Sequence, residues 1–236
     1  MRSELAWAAP RAAAAMVLAM IVVAVGLMLR AVPAAGAGEL RLDLIVAAHV
    51  SPVGVHGAQV LGAVLEPAGG LVLMLVCAAL IWWRQNRWQA ARFAAVAAIG
   101  WLSVEPVKLL VHRPRPVLPN VHAAAESWSF PSGHVALVTA VVLGLVLVTT
   151  GRSRAVTIIF GSAAVIVVAL SRLTLAVHYP SDTAASVVWV GAVTVIVMSG
   201  MRVVEAANTD RATRPRRAET AGADTQPILI DGVRQD

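Results

Sequence analysis

Apolar runs long enough to cross a bilayer alternate with short polar stretches along this chain. They lie at roughly 11–32, 60–83, 89–110, 133–150, 155–177 and 183–203. A helix needs about 20 apolar residues to pass the hydrocarbon core, so the pattern predicts an all-α, polytopic membrane protein. The expected architecture is a six-transmembrane-helix bundle over 11–203, with a short N-terminus at 1–10 and a tail at 204–236. The first run is longer than the ~7–15 residues of a signal-peptide core. It is therefore read as a retained helix, although Arg2 and Arg11 before it and Ala34, Ala35 and Gly36 after it are what a cleaved leader would carry. Residues 39–57 are too polar to span and are read as an interfacial segment. Glu66-Pro67, beside Gly69 and Gly70, marks a kink or an outer helix end. The tail is rich in Arg, Asp, Thr and Ala and lacks periodicity, which predicts disorder.

Composition agrees with the pattern. Hydrophobic residues make up 58% of the 236 and charged residues only 14%, against about 25% charged in an ordinary soluble domain. A pI near 11.1 would suggest nucleic-acid binding in a soluble protein. Here the arginines stand at the ends of apolar runs, and no basic stripe carries a nucleic-acid reading motif. Their placement predicts topology instead. Arg84, Arg87 and Arg92 lie between the second and third runs, Arg152 and Arg154 between the fourth and fifth, and Arg211, Arg214, Arg216 and Arg217 in the tail. All three regions fall on one side of a six-helix chain, which the positive-inside rule makes cytoplasmic. Both termini are then inside a plasma membrane, and the loop at 111–132 and the turn at 178–182 face the periplasm or exterior. Cys77, the one cysteine, excludes a disulfide framework and a thiolate metal site.

The polar residues out of place in this pattern gather on that outer side. Lys108 ends the third run, with Arg113 and Arg115 after it; Ser132, Gly133 and His134 open the fourth. Ser171 and Arg172 end the fifth, and His178 and Asp182 lead into the sixth. Charged groups at membrane depth are costly and point to function. Lys108, Arg115 and Arg172 offer three cations for phosphate oxygens, and a guanidinium can grip two at once. Pro131-Ser132-Gly133 begins a helix that Ser132 can cap and whose backbone N–H groups favour an anion. Two histidines suffice for a nucleophile and a proton donor. Asp182, four residues after His178, is close enough to hold its ring through Nδ1 if the turn is helical.

These residues fall into three ordered motifs: Lys108, six residues, then Arg115-Pro116; Pro131-Ser132-Gly133-His134; and Ser171-Arg172, five residues, His178, three residues, Asp182. Over about 101–190 the chain resembles the type 2 phosphatidic acid phosphatase family, every motif position matching. The resemblance implies that His178 attacks phosphorus to form a phosphohistidine, that Asp182 orients and charges it, and that His134 protonates the leaving oxygen and then activates water. It implies Lys108, Arg115, Arg172, Ser132 and the Gly133 amide as the phosphate cradle. No metal or other cofactor is expected, since no Asp- or His-rich constellation accompanies the motifs. The expected partner is a lipid phosphate in the membrane: a polyprenyl diphosphate, or alternatively phosphatidate or phosphatidylglycerophosphate. A lipid phosphotransferase, or an inactive lipid-binding relative, would share the scaffold; the latter should lack a histidine or Asp182, and this chain keeps all three.

Other residues have plainer readings. Arg113, off the motif position, is read as a headgroup contact. Glu105, one turn before Lys108, is either its structural ion-pair partner or a part of the chemistry. Trp101, Trp128 and Tyr179 are read as interfacial aromatics, with Trp128 and Phe130 as candidate guides for a lipid chain. His49 and His56 are read as surface residues, His112 and His122 as loop residues.

Overall fold

The computed structural model describes residues 2–116 and 127–223. These form nine helices: α1 (Arg2–Ala31), α2 (Pro33–His49), α3 (Pro52–Val64), α4 (Pro67–Arg84), α5 (Arg87–Leu102), α6 (Val104–Val111), α7 (Gly133–Val148), α8 (Gly151–Thr174) and α9 (Pro180–Ala223). Proline sets several of the starts. Pro33, Pro52 and Pro67 open α2, α3 and α4, where a missing N–H costs nothing because the first turn leaves it unpaired anyway. Ser51 caps α3 through Gly54 N, and Asn86 caps α5 by accepting from Trp88 N and Gln89 N. Pro106 lies in the first turn of α6, and the helix breaks at Ser103, as a ring that cannot donate to the preceding turn requires.

Among the described residues, five helices are long and apolar enough to cross a membrane: Ser3–Ala31, Pro67–Arg84, Arg87–Val111, Gly151–Thr174 and Pro180–Arg211. A sixth span arises if α2 and α3, bent by 116°, count as one. The segment expected to lie at the interface is thus two helices with a sharp elbow, and the second apolar run is split at Glu66-Pro67. The fourth run yields only the 16 residues of α7, about 24 Å at 1.5 Å per residue, against a core of about 30 Å. α7 alone is therefore shorter than such a core, and Ser132-Gly133-His134 stands at its N-terminal end.

α7 is the hub. Val135 to Val141 are all buried, as expected for a helix apolar on every side. Small residues let its neighbours approach: a Cβ on Gly144 would stand 2.8 Å from the Phe93 ring, and one on Gly100 3.1 Å from Ala140. Close packing of this kind is what joins helices where lipid removes the hydrophobic drive. Around it, α4, α5 and α8 bury Met74, Ile81, Phe93, Ala97, Val168 and Leu137 in one cluster. α1 lies along α9, where Trp7 sits between Arg11 (4.2 Å) and Arg202 (3.9 Å). Cys77 is half-buried against the main cluster.

The segment expected as a tail begins inside α9, which runs on to Ala223. Its Ala, Arg and Glu content suits a helix, and extending an existing helix avoids the cost of a new nucleus. Residues 224–236 of the expected tail, and His122, lie outside the described residues.

Candidate active site

Four helix ends and two connections meet at one end of the bundle. The C-terminus of α6, the start of α7, the C-terminus of α8 and the start of α9 bring the three motifs together, from Lys108 to Asp182. Backbone bonds lock them: Ser132 N donates to Asp182 O at 3.2 Å, Ser129 N to Arg113 O at 2.9 Å. Ser186 Oγ donates to the carbonyls of both Ser132 and Asp182 (2.9 and 2.8 Å). After α8 the chain turns tightly, with Ala176 in the left-handed region (φ 47°), and the turn sends His178 into the interior.

His178 is 2% exposed. Its Nδ1 lies 2.7 Å from Ser129 O, a carbonyl that can only accept, so this nitrogen carries the proton and Nε2 keeps its lone pair. Burial pushes the His178 pKa below the usual imidazole range, with Asp182 pulling the other way. The ring is held neutral, as a nucleophile must be. Asp182 does not hold it in the expected way. Its Oδ2 stands 3.6 Å from His178 Nδ1, too far for a hydrogen bond, and accepts instead from Tyr179 N at 2.9 Å. Its Oδ1 accepts from Arg113 at 2.6 Å. The i,i+4 spacing does bring the two together, but Pro180 starts α9 between them, and a backbone carbonyl outcompetes the carboxylate for the ring N–H. Asp182 nevertheless raises the His178 pKa against the effect of burial.

The phosphate-cradle candidates divide into two groups. Lys108 Nζ is 3.0 Å from Glu105 Oε1, the ion pair anticipated for Glu105, and lies 3.2 Å from where a Cβ on Gly133 would stand. Glycine at 133 therefore leaves room for an ammonium beside the first turn of α7. Ser132 is the N-cap residue yet makes no side-chain cap bond. Its buried Oγ has no hydrogen-bond partner, an open acceptor and donor where a buried hydroxyl ordinarily finds one. Arg115 and Arg172 are engaged with protein oxygens. Arg115 donates to Ser127 O, Ser127 Oγ and Val177 O (2.9, 2.7 and 3.2 Å), bracing the α8–α9 connection that carries His178. Arg172 donates to Ser171 Oγ and to Ala58 O (3.1 and 2.8 Å).

Several participants were missed from the sequence. The backbone of α3 closes the site: Gly62 O is 3.1 Å from His134 Nε2, and Ala58 O receives Arg172. Nothing about Ala58 or Gly62 as residue types marks them. Arg113 is not a headgroup contact. Only 2% exposed, it bridges Asp182 and Glu39 of α2, the latter at 2.8 Å, and sits over the Tyr179 ring, 4.0 Å from its centre. Burial alone would lower its pKa, but the two carboxylates hold it above the ordinary guanidinium value. Ser181 joins them, donating to Glu39 at 2.8 Å. Arg113 sits two residues from a motif arginine, and that proximity was the available signal. Tyr179 is consequently a stacking partner, and Phe130, fully buried beside Val107 and Val111, is core and no lipid guide. Trp128, half-exposed, meets His112 edge-on at 4.7 Å. Among the described residues no three His, Cys, Asp or Glu side chains converge as a metal would require.

The model of the PAP2 superfamily matches residues 89–205, a range that contains every motif position. No curated protein matches the chain. Among solved structures, the chain is similar to a transmembrane PAP2-type phosphatidylglycerolphosphate phosphatase from Bacillus subtilis. The TM-score is 0.65 at 17% identity, over 83% of this chain and 96% of that one. At that identity the likeness is one of fold.

Proposed function

Since this chain belongs to the PAP2 superfamily and is a phosphoric ester hydrolase of the membrane, we propose that it dephosphorylates a lipid phosphate through a phosphohistidine at His178. The observation that carries the reading is the buried His178, its Nδ1–H tied to Ser129 O and its Nε2 free. Beside it stand Lys108, the unpartnered Ser132 hydroxyl and the open first turn of α7. In the first step the Nε2 lone pair forms a bond to phosphorus while the bond from phosphorus to the leaving oxygen breaks, and His134 gives that oxygen a proton. In the second, water attacks phosphorus, His134 takes a proton from it, and the N–P bond breaks to return the pair to Nε2. Positive charge grows on the ring in the first step, and Asp182 opposes it. Lys108, Arg115, Arg172, Ser132 and the Gly133 amide stabilise the equatorial oxygens, the larger part of phosphoryl-transfer catalysis.

The proposed substrate is a polyprenyl diphosphate presented at the outer face of the plasma membrane. The arginine-marked connections at 84–92 and 152–154 lie at the opposite end from the site, and a site recessed at the start of α7 suits a lipid whose head reaches down from the interface. Phosphatidylglycerophosphate is the second reading, favoured by the activity described for the Bacillus subtilis protein. Turnover of the purified chain in detergent on these two lipids and on phosphatidate separates them. Rapid-quench trapping with an activated aryl phosphate tests the mechanism. His178→Ala should give no acid-labile phosphoenzyme, whereas His134→Ala should still form it, because a good leaving group needs little protonation. Label that persists without His178 and vanishes without His134 reverses the two roles.

A further inference from the structure

Glu39 belongs to no motif and lies on α2, outside the matched region. It is nevertheless 2.8 Å from the guanidinium that grips Asp182. Resting on the phosphohistidine reading, we infer that Glu39 is a positioning residue for phosphoryl transfer: acting through Arg113, it gives back to the Asp182–His178 pair the negative charge that Arg113 withdraws.

The geometry makes the charge count plain. Asp182 is fully buried, with one oxygen on Arg113 and the other on the Tyr179 amide. Arg113 on the far oxygen offsets part of the charge that Asp182 presents to a ring 3.6 Å away. Glu39 binds the other guanidinium nitrogen, so the trio of Glu39, Arg113 and Asp182 carries one net negative charge. Ser181 clamps the arrangement, accepting from Arg113 at 2.7 Å and donating to Glu39 at 2.8 Å, while the Tyr179 ring fixes the guanidinium plane. The surroundings show why the returned charge matters. Lys108 from α6 and Arg115 from the following connection both disfavour a cationic His178. His134 on α7 and Arg172 on α8 complete the polar wall. Asp43, one turn along α2 from Glu39, is fully buried with neither oxygen hydrogen-bonded. Without Glu39, Arg113 and Asp182 balance one another and the trio carries no net charge against these cations.

The test reads the His178 imidazole directly, by titration of its ring NMR signals in the full chain in detergent, alongside kcat and KM. The His178 pKa should follow the charge of the trio. Arg113→Gln, at two negative charges, should be highest; wild type and Glu39→Gln/Arg113→Gln, at one, should agree; Glu39→Gln, at none, should be lowest. Each step should be on the order of one unit, a tenfold change in protonation equilibrium. In Glu39→Gln, kcat should fall about tenfold with KM within about twofold, and Glu39→Asp should recover most of it. Any three of the four chains that fold establish the order. A His178 pKa indifferent to Glu39, or a kcat loss that Glu39→Asp does not relieve, overturns the inference. The titration needs no turnover, so a wild type that hydrolyses no lipid would count against the proposed function and leave this result standing.

Discussion

Arg113→Met isolates the energetics of the buried bridge. Methionine keeps most of the stem and removes the charge, leaving Asp182, which has no exposed surface, beside Glu39 with no cation between them. Breaking a buried pair by deleting one partner costs on the order of 3–5 kcal/mol, because the remaining charge stays desolvated. The packing loss is small by comparison, since the tyrosine face still meets an apolar side chain. Glu39→Gln removes a carboxylate that is 19% exposed and leaves Asp182 paired, so its stability cost should be ~1 kcal/mol or less. Taking both central charges away, in Arg113→Met/Asp182→Asn, should cost less than Arg113→Met alone. The assay is thermal unfolding in one detergent, followed by tryptophan fluorescence. At about 2–4 °C per kcal/mol for a chain of this size, Arg113→Met should lower Tm by roughly 6–20 °C. A shift below about 2 °C, or a double variant worse than the single one, would refute the reasoning.

The pKa of His178 is lowered by burial, so its neutral, attacking form persists below the ordinary value of about 6.5. The acidic limb of kcat/KM should accordingly fall below pH 6.5, and a limb at or above it in the wild type would contradict the assigned burial. Gly144→Leu should drive a side chain into Phe93, whose ring is 2.8 Å from the Cβ position. A loss of about 1–3 kcal/mol is expected, partly relieved by Phe93→Ala, and full stability in the single variant would show that α5 and α7 are less tightly packed. Turnover should survive EDTA and be inhibited by vanadate, which can take the five-coordinate shape of the transferred group. Activity abolished by EDTA and restored by Mg²⁺ would place a metal in the chemistry.

Much of the site is written locally. Apolar runs of bilayer length can hardly be anything but helices, because lipid offers backbone groups no partner. The spacings around Lys108, His134, Arg172 and His178 could therefore be placed at helix ends, and helix ends at one membrane face must meet. The arginines between runs supplied the topology proposal by the same kind of local reasoning. What pairs with what could not be read in this way. Glu39 and Arg113 are 74 residues apart, and only packing decides that a surface-looking glutamate on α2 completes a buried bridge. The i,i+4 spacing suggested that Asp182 would hold His178, yet Ser129 O, 49 residues away, takes the ring proton because the connection before α7 delivers a better-aligned acceptor. The elbow between α2 and α3, and the Gly62 and Ala58 carbonyls it lays against His134 and Arg172, depend on no side chain and so leave no mark on the chain's chemistry. Sequence settled which groups gather at one end of the bundle; the tertiary structure decided which of them touch, since hydrogen bonds are won by distance and alignment rather than by residue type.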